Sequence, residues 1–196
     1  MIASMLKLNR ADCKALRITD AYSIHRVIYD LFSGAARDFL FADKGGDGNA
    51  RLILILSERA PNVPVHGEIT LPKGVPDSFL EHARYGFEIT LNPTKRDKHS
   101  GKLVAIRGSE NLHQWLLQKA PSLGFEIDAD SLEVRCAGVQ TFRRDDGTVV
   151  THNTATFVGK LSVTDRSKFQ LSFQKGIGRA KAFGFGLLQI VPLDRH

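Results

Sequence analysis

The chain has 196 residues and carries 27 Lys and Arg against 21 Asp and Glu, a formal net charge of +6. Its 42% hydrophobic and 24% charged residues exclude a disordered chain or a fibre, and no apolar run nears the roughly 18 residues of a membrane span. Without a hydrophobic leader or a CxxC pair between Cys13 and Cys136, the expectation is a cytoplasmic, reducing setting with no membrane partner.

MIASMLKLN predicts a first strand, with Ile2, Met5 and Leu6 available to a core. Thr19-Asp20 can cap a helix, AYSIHRVIYDLF, whose Ile24, Val27, Ile28 and Leu31 recur at i, i+3, i+4, i+7; it ends before Ser33-Gly34. RDFLFA near 37–42 and RLILIL at 51–56 predict strands around the turn cluster KGGDGN. HGEITLP and RYGFEITL add short strands, with thin helical evidence between Asp77 and His82. The second half repeats the theme. Strands near Arg84 to Leu91 and Lys102 to Ile106 precede a helix, SENLHQWLLQKA, with Leu112, Trp115, Leu116 and Lys119 on one face. SLEVRCAGVQTF and TVVTHNTATFVGKLSV are two long strands joined by a tight turn at Asp146-Gly147. Thr164-Asp165 can cap a helix through Gln174, although FQLSF at 169–173 alternates like a strand, and GLLQIVPL closes the chain. Two βαββαβ units in tandem predict an α+β protein of two ferredoxin-like (RRM-like) domains, 1–88 and 89–196.

On the first helix, Tyr22, His25, Arg26 and Tyr29 cluster opposite the apolar stripe. A solvent-facing stripe more typically carries Glu, Lys and Gln. Histidine both takes and gives a proton near neutrality, tyrosine can hydrogen-bond a reacting group, and arginine can stabilise phosphoryl charge. Together they suffice to cleave RNA without a metal; the same face also suits two tyrosines flanking an incidental histidine packed under the second domain.

The segment GIGRAKAFGFGLL at 176–188 holds Gly176, Gly178, Gly184 and Gly186 but matches neither a dinucleotide fingerprint nor a P-loop. Its glycines suit either a structural turn or, with Arg179 and Lys181, close approach to a phosphate backbone. Basic charge clusters in two windows. Residues 95–107, with Lys95, Arg96, Lys98, Lys102 and Arg107, reach a local +4, and residues 160–181, with Lys160, Arg179 and Lys181 among six cations, reach +5. The remainder is therefore acidic, and the two windows favour a nucleic-acid surface. Phe183 and Phe185 suit either stacking platforms or core.

The tandem fold, Tyr-x-x-His on the first helix, AARDFLF at 35–41, Asn92-Pro93-Thr94-Lys95 and the terminal GIGRAKAFGFGLLQIVPL together resemble the CRISPR-associated repeat-processing endoribonucleases of type I-E systems, the CasE family of the RAMP superfamily. The resemblance implies metal-independent cleavage of CRISPR repeat RNA at the base of its stem-loop, yielding a 2′,3′-cyclic phosphate and a 5′-hydroxyl. It also implies that the guide RNA is retained in a Cascade-type complex with other Cascade subunits. By position, the family's active-site histidine falls on His25, its tyrosine on Tyr22 and its glycine-rich loop on 176–186. Arg26 is added from the helical wheel, and Arg37, Arg143 and Arg144 as further RNA contacts. No cofactor is expected.

Two other readings stay in view. His152-Asn153-Thr154 is an HxT of the two-histidine phosphoesterase kind, but His25, His66 and His82 supply no second copy, and His152 is expected on a strand facing solvent or RNA. A non-catalytic RNA-binding subunit of the same superfamily would not need a titrating group at His25. No histidine spacing of the HExxH kind occurs, so no metal is expected.

Overall fold

The computed structural model describes residues 1–32, 37–46 and 48–193 and contains two antiparallel sheets of matching strand order. The first half runs β1 (Ile2–Asn9), α1 (Arg10–Ala15), α2 (Ala21–Asp30), β2 (Phe39–Gly46), β3 (Ala50–Ser57), β4 (Glu68–Ile69) and β5 (Lys73–Gly74). The second runs β6 (Arg84–Leu91), β7 (Thr94–Arg96), β8 (Leu103–Ala105), α3 (Ser109–Lys119), β9 (Phe125–Ile127), β10 (Glu133–Arg143), β11 (Val149–Val163), α4 (Arg166–Lys175) and β12 (Gln189–Pro192). The first sheet is ordered β2-β3-β1-β4 with β5 also on β1, the second β10-β11-β6-β12 with β9 on β11. Both are ferredoxin-like units, so the fold is the expected α+β tandem. A separate hairpin, β7–β8, carries the first basic window.

Burial explains the composition of the first sheet. Phe39, Leu40, Phe41 and Ala42 of β2 are all buried, because both faces of this sheet are covered. Phe39 and Phe41 pack with Leu6, Leu8, Ile53, Ile55, the α2 residues Ile24, Val27 and Ile28, and Leu31 at the helix's C-cap. Leu40, Ala42 and Leu56 join the second core, with Tyr85, Phe87, Leu112, Leu116, Phe169 and Leu188. That shared core fixes the two halves against each other. No helix among the described residues is long and apolar enough to cross a membrane.

The structure revises three expectations. The boundary expected between 88 and 89 falls inside β6, which pairs with β11 from Arg84↔Ser162 to Leu91↔Ala155. The alternation Tyr85, Phe87, Ile89, Leu91 belongs wholly to the second core, so the second sheet begins at Arg84. In β1 the buried set is Ser4, Leu6 and Leu8, one strand face, rather than Ile2, Met5 and Leu6. The stretch 77–82 forms a single 3-10 turn, Asp77–Leu80. The helix expected from Thr164-Asp165 through Gln174 is present as α4, and its alternating FQLSF stretch is helical: Phe169, Ser172 and Phe173 form the buried face, and the Asp165 side chain accepts from the Lys168 N–H as its N-cap.

Candidate active site

Asp20 starts α2 with a capping box. Its carboxylate accepts from the Ser23 N–H, and the Ser23 hydroxyl accepts from the Asp20 N–H. With the apolar stripe of α2 buried on the first sheet, Tyr22 and His25 lie half-buried on the other side and face the second half, while Tyr29 packs at the edge of the first core against Phe39. The Tyr22 and His25 rings stack at 5.7 Å, and Tyr29 lies 4.2 Å from His25. Arg26 is exposed, its guanidinium 5.6 Å over the Tyr22 ring.

The glycine loop supplies the partner of His25. The Ile177 N–H donates to Gly186 O and the Gly186 N–H to Thr90 O, both 2.8 Å, which closes the loop's neck and pins it to β6. At its tip, Ala182 O lies 2.7 Å from His25 Nδ1. A carbonyl only accepts, so Nδ1 carries the proton and Nε2 presents its lone pair. Burial pushes the His25 pKa below its ordinary value, against the Ala182 bond, and the positive charges of Arg144 and Arg37 push the same way. Burial and the nearby arginines therefore disfavour the imidazolium, and in the neutral ring Nε2 is the unprotonated nitrogen.

Only glycine allows this loop path. At Gly186, φ is +84° and a Cβ would run into the Ile177 carbonyl; at Gly184, φ is +83° and a Cβ would lie 2.9 Å from the Phe41 ring. Gly176 packs on Leu40, while Gly178 is exposed. Gly176, Gly184 and Gly186 thus shape the loop against protein, the structural alternative for this motif.

The long hairpin β10–β11 closes the other side. Phe142 stacks on Tyr22 at 5.9 Å with 8° between planes, and Phe183 sits 4.7 Å from Phe142 and 5.1 Å from His25. The Tyr22 hydroxyl donates to Asp145 Oδ2 at 3.0 Å. His152, expected on a strand facing solvent or RNA, lies on β11, and open solvent is not its environment. It packs half-buried against Phe142, Phe183 and Phe185, with Nδ1 3.2 Å from Asn92 Nδ2. Burial and then Arg144 lower its pKa as well. Sequence reasoning missed Phe142 and Asp145, which no local pattern connects to α2. Pairing outward from the Asp-Gly turn puts Gln140 opposite His152, with Phe142 two residues on along β10, and so could have found that histidine's face.

The structure brings together Tyr22, His25, Arg26, Arg144 and, by their electrostatic influence, Arg37 and Lys181. Of AARDFLF, Ala35 and Ala36 lie outside the described residues. Lys181 Nζ donates to Lys175 O at 2.7 Å, and burial, then Arg37, lower its pKa. Arg143 donates to Gly147 O within its own turn, and Arg179 is exposed on the loop. Lys95, Arg96, Lys98, Lys102 and Arg107 lie on or beside the β7–β8 hairpin, which leaves β6 at the end where Asn92 meets His152. Lys160 is elsewhere. Eight residues along β11 from His152, it is roughly 26 Å away at the usual strand rise, beside Ser131, whose hydroxyl accepts its N–H. A cavity of about 660 Å³ between the sheets, lined by Leu54, Leu56, Phe87 and Leu188 among others, contains none of these site residues. Among the described residues no three His, Cys, Asp or Glu gather as a metal-holding group.

Two ferredoxin-like units, with a neutralised histidine beside a tyrosine, cationic arginines and a glycine loop, define an α+β protein whose site suits acid–base chemistry on a polyanion. The chain belongs to the CRISPR associated protein family, which matches residues 1–192. It is 27% identical over 218 residues to the CRISPR-associated endoribonuclease Cse3 of Thermus thermophilus, covering 98% of this chain and 100% of that one. It is 26% identical over 189 residues to the CRISPR system Cascade subunit CasE of Escherichia coli, covering 89% and 93%. A structure of the CRISPR endoribonuclease Cse3 bound to 19 nt RNA superposes with a TM-score of 0.85 at 22% identity, covering 98% and 100%.

Proposed function

We propose that this protein is a metal-independent CRISPR endoribonuclease that cleaves repeat RNA at the base of its stem-loop and retains the guide within a Cascade-type complex in the cytoplasm. The observation that carries the chemistry is the bond between His25 Nδ1 and Ala182 O, which leaves Nε2 as the basic nitrogen of a ring stacked on that of Tyr22. His25 Nε2 takes the proton of a ribose 2′-hydroxyl. The 2′-oxygen then bonds phosphorus and the P–O5′ bond breaks. The 5′-oxygen takes up a proton from the imidazolium or solvent, leaving a 2′,3′-cyclic phosphate and a 5′-hydroxyl. Arg144 and Arg37, whose charges already act on His25, are in place to stabilise the phosphoryl oxygens, and Tyr22 to hydrogen-bond one of them.

The β7–β8 lysines and Arg143 stand at the same end of the second sheet, which suits a grip on the stem's phosphates. Membership of the family and the likeness to Cse3 and CasE support the RNA substrate and the Cascade partner. The test is incubation with the repeat transcript of the protein's own array in EDTA. Wild type is expected to cut, and a 2′-deoxy residue at the cut site to block cutting without weakening binding. A magnesium requirement, or cleavage of the deoxy-substituted RNA, overturns the mechanism.

A further inference from the structure

The Tyr22 hydroxyl, which the proposed reaction directs at a phosphoryl oxygen, is already engaged by an anion. Asp145 Oδ2 accepts its hydrogen bond at 3.0 Å. Asp145 is presented by a stiff turn: the Arg144 N–H donates to Thr148 O and the Gly147 N–H to Arg144 O, each at 2.9 Å. The neighbouring acid is occupied differently, since Asp146 Oδ1 accepts from the Thr148 N–H at 2.9 Å. The same turn carries Arg143 and Arg144, the cations placed to hold RNA, and Arg144 acts electrostatically on both His25 and His152. One hydrogen-bonded hairpin end therefore carries two arginines and a carboxylate that holds the hydroxyl which the proposed reaction directs at a phosphate oxygen.

We propose that Asp145 is a specificity-determining residue, an anionic latch on Tyr22 that is displaced when a paired RNA stem engages Arg143 and Arg144. The inference rests on the RNA-cleaving reading above and adds how that site selects structured RNA. An RNA that binds the hairpin arginines draws the turn off α2 and frees the Tyr22 hydroxyl for its own phosphate. A single strand that reaches the site without engaging the arginines meets the carboxylate, both as a competitor for the hydroxyl and as a like charge. Binding energy from the stem is thus coupled to completion of the reacting site. Removing the carboxylate should therefore help the wrong RNA more than the right one.

The experiment measures affinity for two fully 2′-O-methylated RNAs, the repeat stem-loop and a scrambled strand that cannot pair, together with single-turnover cleavage of their unmodified forms. Asp145→Ala is expected to strengthen binding of the scrambled strand roughly fivefold to twentyfold, the range of one charge-assisted hydrogen bond at a partly exposed site, and that of the stem-loop by less, because the stem gains only the bond it no longer has to break. Asp145→Asn should give a smaller effect of the same sign. Two further variants separate a latch from loss of negative charge. Asp146→Asn should change both RNAs alike, and in a Tyr22→Phe background Asp145→Ala should no longer alter the preference. Equal gains for both RNAs in Asp145→Ala, or a preference shift that persists without the Tyr22 hydroxyl, overturn the latch. If wild type cuts neither unmodified RNA, the nuclease reading fails, and the latch is still decided by the affinities, because the methylated RNAs report binding without cleavage.

Discussion

Helices α2 and α3 occupy matching places in the two halves, each between the first strand of its unit and the next long strand, yet only one builds a site. Each carries a histidine as its fifth residue, directly after a buried aliphatic side chain, Ile24 before His25 and Leu112 before His113. Each imidazole even meets an alanine carbonyl, His25 Nδ1 with Ala182 at 2.7 Å and His113 Nε2 with Ala129 at 3.2 Å. The difference lies in what covers the second face of the helix. Against α2 stand the glycine loop and the long hairpin, which bring Phe183, Phe142 and Arg144 to the imidazole and its neighbour Tyr22. His113 has no aromatic contact among the described residues. A carbonyl contact alone does not separate the two histidines; what sets His25 apart is a second layer that desolvates it and brings positive charge to it.

Exchange of these two histidines for alanine is the largest break available to that comparison. His25→Ala should lower single-turnover cleavage by roughly 10²- to 10⁴-fold, the usual worth of a positioned general base, with RNA affinity largely kept. His113→Ala should cut at the wild-type rate. Equal losses from both, or none from His25→Ala, would place the chemistry away from α2.

A pair of glycines sharpens the same contrast with a smaller effect. Gly186 in the loop and Gly108 at the start of α3 have nearly the same φ, +84° and +85°. An alanine at either position suffers backbone strain of about 1–3 kcal/mol. At Gly108 the new Cβ would find only Asn111 Nδ2 at 3.5 Å, whereas at Gly186 it would strike the Ile177 carbonyl and force the loop neck open. Gly186→Ala should therefore lose about 1–3 kcal/mol more in thermal or denaturant unfolding, and it should cut slowly even where fully folded, because Ala182 leaves His25. Gly108→Ala should cut normally once folded. A Gly186→Ala variant that is destabilised but fully active would show that the loop shapes the fold without setting the histidine.

The two helices were equally legible in the sequence; their second faces were not. The 3.6-residue spacing of Ile24, Val27, Ile28 and Leu31 placed Tyr22 and His25 opposite the core, and period-2 alternation outlined the long strands. Contacts of α2 with Phe142 and Asp145 span more than a hundred residues and depend on how the halves dock, which no local period records. Charge runs record position no better. Of the cations in 160–181, Lys168 pairs with Asp165, Lys175 with Glu58, Arg166 donates to Leu80 O, and Lys160 lies far along β11, leaving Arg179 and Lys181 at the loop. A run of charge in sequence is a surface only after the fold has shown which charges remain unpaired.

The smallest effect tests the electrostatic half of the comparison, the charge that the hairpin brings to α2. The Arg144 guanidinium disfavours the imidazolium at His25, adding to the larger effect of burial. Removing that charge in Arg144→Gln therefore makes protonation easier, and the His25 pKa moves up toward the ordinary histidine value of about 6.5. Cleavage that needs neutral His25 is lost as pH falls through this pKa, so the acid limb of the pH–rate profile should move to higher pH. NMR titration of the free protein should show the same direction at His25 and at His152, whose pKa Arg144 also lowers. Arg143→Gln is the internal control, because that guanidinium is bonded to Gly147 O within its own turn and is not among the charges acting on either histidine. Burial is the leading cause and survives the substitution, so the shift should be small and the pKa should stay below its ordinary value. A limb that stays in place in Arg144→Gln, or moves equally in Arg143→Gln, would mean that the hairpin covers His25 without tuning it, and that desolvation alone separates α2 from α3.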